Sequence, residues 1–97
     1  MRKVIKISVG KPYILHCIFD NGENRFLDLK KVLDSNQKYA RRIFDADVFR
    51  QAKIGSLGEI YWENIAEIKM LDGKIQPCNY DISPEFAYLN SEKKTIL

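Results

Sequence analysis

The sequence holds one histidine, two cysteines and no apolar run long enough to span a bilayer. Each shortage narrows the functions open to it. Cys17 and Cys78 stand far apart among apolar neighbours and outside any CxxC pair, so the spacing for zinc ligation or thioredoxin-type exchange is missing. Two reduced, partly buried thiols are expected instead. His16 adjoins Cys17, and adjacent side chains of a strand point to opposite faces, so the two do not form a nucleophile–base pair. No GxSxG, HExxH or P-loop pattern occurs, and Gly55-Ser-Leu-Gly58 lacks the lysine of a phosphate cradle. The chain is therefore read as non-enzymatic, with no cofactor and no metal. At the start, Lys6, Ser8 and Lys11 interrupt the apolar residues before a secretory core forms, and the expected location is the cytoplasm.

What is present suits one folded unit. The 97 residues are 45% hydrophobic and 30% charged, a soluble globular composition. A chain of this length buries about two-thirds of its extended surface, enough for one core without disulfides or metals. A single domain is expected over residues 1–91, with 92–97 a frayed tail.

Hydrophobic alternation carries the fold. Ile5, Ile7 and Val9 share one face, and after Gly10-Lys-Pro12 the residues Tyr13, Leu15, Cys17 and Phe19 share another, with Ile14, His16 and Ile18 opposite. Asn21-Gly22 then signals a type I′ hairpin turn, and Leu27 and Leu29 continue in phase. Lys31 to Leu33 suits a helical turn, and Tyr39 and Ile43 suit a second helical segment. Asp45 suits the N-cap of a helix over 46–52, with Val48, Phe49 and Ala52 inward. Glu59–Glu63, Ile65–Leu71 and Lys74–Gln76 read as strands, the last two joined at Asp72-Gly73 and the returning one limited by Pro77. Ser83-Pro-Glu85 opens a closing helix anchored by Phe86 and Leu89. The fold predicted is α+β, a small, mostly antiparallel sheet of five or six strands with two or three short helices.

The order of these motifs resembles a known family. The early turn Phe19-Asp-Asn-Gly-Glu23 leads to Phe26-Leu-Asp-Leu29. Phe49 in a short helix comes next, then Gly58-Glu-Ile-Tyr-Trp-Glu-Asn64, and Asp81-Ile-Ser-Pro-Glu85 with Tyr88 closes the set. Together they resemble the bacterial family called domain of unknown function 2442, over about residues 3–90. In that family the Trp-x-Asn element passes almost directly to the Asp before the closing helix. Here residues 65–79 are inserted between them, extending or covering any surface near Trp62. The resemblance implies no enzymatic activity. It implies a small protein partner encoded nearby, from the domain of unknown function 4160 family, in a toxin–antitoxin-like pair. Other members carry a C-terminal helix-turn-helix for which these residues leave no room. The version implied here is partner-facing, a candidate antitoxin or adaptor.

Two surfaces compete for the interaction. Tyr61, Trp62, Asn64, Phe86 and Tyr88 lie in the family-like segments, and Trp and Tyr are the commonest interface anchors. The inserted hairpin adds a sheet edge open to another chain, a second copy of this one included. The alternative is a nucleic-acid-binding module at residues 30–42, where Lys30, Lys31, Lys38, Arg41 and Arg42 outnumber the single acid Asp34 and flank Tyr39. A net charge of +3 is modest for that role. The oxygens of Asp20, Asn21, Glu23 and Asn24 bear some likeness to a calcium loop, but crowded about a two-residue turn they point apart.

Overall fold

The computed structural model describes residues 1–93. Six strands and four short helices occur among them: β1 Val4–Val9, β2 Ile14–Phe19, β3 Asn24–Asp28, α1 Leu29–Val32, α2 Lys38–Ile43, α3 Ala46–Phe49, β4 Lys53–Ile54, β5 Ile60–Lys69, β6 Ile75–Ile82 and α4 Pro84–Leu89. The class is α+β, but the strands form two antiparallel three-stranded sheets, β1-β2-β3 and β4-β5-β6, rather than one sheet of five or six. The division follows from Asp28, whose carboxylate accepts the Lys30 N–H and caps α1 where β3 ends. Three helical segments then carry the chain away before β4 begins a new ladder. The helices number four in the described residues, one more than the upper expectation.

Leu15, Cys17 and Phe19 of β2 are fully buried, as alternation requires, and Leu27 and Leu29 join them. On β1 a bulge between Val4 and Lys6 shifts the phase. It turns Val4 into the core and leaves Ile5 exposed, which corrects the assignment of Ile5 to the inner face. From the second half, Ile43, Phe49, Ile60, Trp62, Ile82 and Ala87 complete one core between the sheets and helices.

The turns share one design that differs from the two-residue type I′ expected. Phe19 N–H bonds to the Glu23 carbonyl at 3.0 Å and Gly22 N–H to the Phe19 carbonyl at 2.9 Å, closing a three-residue loop. Gly22 alone takes positive φ, +85°, and Asn21 stays in an ordinary region, with its Oδ1 accepting the Glu23 N–H. Residues 55–59 and 70–74 repeat the same bonding.

Ile65–Leu71 is not a separate strand but the outer half of β5, joined to the inner half through a bulge between Trp62 and Ala66. Asn64 sits in it at φ 57°, a left-handed conformation that asparagine tolerates. β6 does not stop at Pro77 but runs through it, because β6 is the edge of its sheet. Every residue from Glu67 to Pro77 is exposed, so this hairpin projects beyond the core in a molecule of 47 × 27 × 19 Å.

Helix α4 is capped by Ser83 Oγ, which accepts the Phe86 N–H, and it starts on Pro84. Its buried face is Pro84, Ala87 and Ser91 rather than Phe86 and Leu89, both of which are exposed. Of the expected tail, Glu92 exchanges two backbone hydrogen bonds with Phe26, and residues 94–97 lie outside the described residues.

Candidate functional site

The oxygens of the first turn are already engaged. The Asp20 carboxylate meets Arg2 at 3.1 Å, and Asn24 Oδ1 lies 2.8 Å from His16 Nε2. Glu23 accepts the Tyr88 hydroxyl at 2.8 Å and Arg25 Nε at 3.0 Å. The Tyr88 hydroxyl, ahead of the Arg25 guanidinium, holds the Glu23 carboxyl below its usual range against the opposing effect of partial burial. Among the described residues no group of three or more His, Cys, Asp or Glu side chains converges.

Tyr88 is thereby locked. The guanidinium groups of Arg2 and Arg25 both stand over its ring, 4.8 and 4.1 Å from the ring centre. Arg25 also donates to the carbonyls of Tyr88 and Ser91 at 3.2 and 2.9 Å, tying the end of α4 to the first sheet. These contacts fix the rotation of α4 and direct Phe86 outward.

Trp62, proposed from sequence as a contact residue, is fully buried, and its Nε1 donates to the Phe49 carbonyl at 3.2 Å. A side chain so placed packs the core and is removed from any contact surface. Asn64 is exposed but serves the bulge through its backbone. Tyr61 is half-buried on the opposite face of β5 from Trp62, opposite Lys53 and Asp81. Phe86 is 39% exposed. The five residues therefore do not form one patch.

The cations of residues 30–42 are largely engaged. Arg42 donates to the Ile65 carbonyl and lies 3.6 Å from Glu67, Lys31 lies 3.9 Å from Glu92, and Arg41 donates to the carbonyls of Ser35 and Asn36. Lys30 and Lys38 stand over the rings of Tyr13 and Tyr39.

Four of the nine large hydrophobic side chains exposed among the described residues lie on the inserted hairpin. Ile68 is 52% exposed, Met70 44%, Ile75 65%, and Leu71 at the tip is fully exposed. Cross-strand register places Ala66, Ile68 and Met70 on one face, with Ile75 and Pro77 on the other. These four exposed side chains were not picked out from sequence. The signal available was the Met70-Leu71 pair beside Asp72-Gly73, where a solvated turn would carry polar residues.

A second feature lies at the opposite end of β6. Apolar Val32, Leu33 and Phe86 line a groove of about 420 Å³ together with polar Asp34, Gln37 and Asp81. Burial, and then the Asp81 carboxylate, push the Tyr80 phenol above its ordinary range.

Fold and surface together define a small α+β domain of two three-stranded sheets from which one apolar hairpin projects. The chain belongs to the family described as protein of unknown function (DUF2442), whose model matches residues 4–85, the inserted hairpin included. No curated protein and no solved structure gives a significant match.

Proposed function

We propose that this chain is a non-catalytic protein-interaction domain, a candidate antitoxin or adaptor, that binds a small protein partner through the projecting β5–β6 hairpin. The observation that carries this reading is the exposure of Ile68, Met70, Leu71 and Ile75, spread over the two faces and the tip of an arm whose residues 67–77 add nothing to the core. Apolar side chains held in water without structural need are the usual mark of an interaction surface. The partner suggested by the family resemblance is a domain of unknown function 4160 protein, and the mechanism is occlusion of its working surface by the arm. The expectation that Trp62 takes part is replaced by the arm that its strand supports.

Co-expression with the product of the neighbouring gene, followed by size-exclusion chromatography, tests the proposal. The two proteins are expected to co-elute, and separate migration would remove the partner reading. A gel shift in low salt with duplex and single strands tests the nucleic-acid alternative, and no shift at micromolar protein is expected.

A further inference from the structure

We infer that the free edge of β6 at Asn79–Asp81 is a strand-addition site for an extended segment of another protein that alternates apolar and cationic side chains. The other sheet edges are covered, bulged or short. Glu92 occupies the β3 edge by exchanging two backbone bonds with Phe26. Arg42 and Tyr39 donate to the Ile65 and Glu67 carbonyls on β5. β1 carries a bulge and gives its Val4 N–H to the Gly58 carbonyl, and β4 has only two residues. The outer edge of β6 has no such cover among the described residues. Gly55 N–H bonds to the Glu59 carbonyl at 2.8 Å, so Tyr61 bonds to β4, and Ile60 and Trp62 bond to β6. Tyr80 and Ile82 therefore direct their backbone groups inward. Asn79 and Asp81 direct theirs outward, where no loop or side chain among the described residues bonds to them.

This stretch of edge separates two hollows, one on each face of the strand. On the face of Tyr80 and Ile82 lies the groove of Val32, Leu33 and Phe86, with polar Asp34 and Gln37 beside them. On the opposite face, which the Asp81 side chain shares, a hollow of about 280 Å³ combines apolar Met1, Leu57 and Pro84 with Glu59, Asp81 and Glu85. None of these three carboxylates pairs with a cation among the described residues. Glu59 and Glu85 accept only the backbone N–H groups of Leu57 and Arg2. A strand laid beside β6 points successive side chains to alternate faces, in step with Tyr80 and Asp81. The residue level with Tyr80 turns toward Val32, Leu33 and Phe86, and the next, level with Asp81, turns toward the carboxylates. An apolar side chain suits the first place and lysine or arginine the second, which sets the chemistry of the occupant. β6 itself, Ile75–Ile82, holds no cation, so a second copy of it does not meet this requirement.

Pro77, which offers no N–H, divides this site from the arm, so the site does not depend on the docking role proposed for the arm. The probe is a capped hexapeptide alternating lysine and leucine and carrying fluorescein. Anisotropy reads its affinity for the full chain, and amide shifts in nuclear magnetic resonance read where it sits. Only every second residue of an added strand turns its N–H toward β6. N-methylation of all the lysines, or of all the leucines, therefore removes those bonds in one version and spares them in the other.

The peptide is expected to bind with a Kd below about 1 mM and to shift the amides of Asn79 and Asp81 but not that of Leu71. One N-methylated version is expected to bind about tenfold more weakly or worse, and the other to bind like the parent peptide. Exchanging its lysines for glutamates is expected to weaken binding about tenfold, as are Asp81→Lys and Phe86→Asp in the protein. Both replaced side chains are exposed, so the variants keep the fold, which circular dichroism checks. No binding at about 1 mM overturns the inference. So do shifts confined to the arm, equal affinity of the two N-methylated versions, or equal affinity of the glutamate peptide. Shifts of Asn79 and Asp81 that depend on the concentration of the chain alone would assign the edge to a second copy, and they overturn it as well.

Discussion

Gly58 answers to two demands at once. Its φ is +79°, and a Cβ there would lie 2.6 Å from Lys3 Cβ and 2.8 Å from Lys3 Cα. Gly58→Ala is therefore expected to lower stability by at least about 2 kcal/mol, combining backbone strain with displacement of β1. Gly22 has φ +85° with open space around it, so Gly22→Ala carries the strain alone and is expected to cost about 1 kcal/mol. Denaturant unfolding of both variants gives the comparison. Tyr88 and Glu23 link stability to pH. The folded Glu23 carboxyl lies below its ordinary value, so its contribution is complete above the unfolded value of about 4.3 and fades as pH falls through the lower folded one. Tyr88→Phe removes the principal cause, and the variant is expected to lose less stability than the parent over that acid window. Trp62→Phe breaks the bond to the Phe49 carbonyl and is expected to cost about 1–3 kcal/mol while leaving partner affinity unchanged. A large loss of affinity at unchanged stability would return Trp62 to the interface.

The elements show how far alternation and capping can be read from a sequence. β2 is legible because Leu15, Cys17 and Phe19 alternate with half-buried residues in an uninterrupted ladder. The cap of α4 is legible because Ser83 and Pro84 act locally. Its rotation is not, since Phe86 and Leu89 outweigh Ala87 in hydrophobicity and invite the wrong face inward. Long-range contacts from Arg25 and Glu23 to Tyr88 decide the matter, and these join residues more than 60 positions apart. The bulge at Ile5 is equally hidden, because one extra residue leaves the local pattern intact while reversing its phase. Ser83→Ala is expected to cost about 1 kcal/mol, measured as a lower thermal midpoint, by leaving the Phe86 N–H without its partner. Of the candidate site, the location of the inserted hairpin was legible and its apolar tip was not singled out. The aromatic motif is divided between core, bulge and surface.

At the scale of the molecule, the core and the arm divide the work. One apolar core spans both sheets, and the hairpin beyond Ala66 and Cys78 adds surface without adding to it. Substitutions on the arm should thus act on association and leave stability almost untouched, the reverse of those at Gly58 or Trp62. The double replacement Met70→Asp and Leu71→Asp places this contrast in one experiment. Its thermal midpoint is expected to match the parent, while co-elution with the neighbouring gene's product is expected to be lost. Full retention of the complex by this variant, at unchanged stability, would contradict the assignment of the hairpin as the docking element.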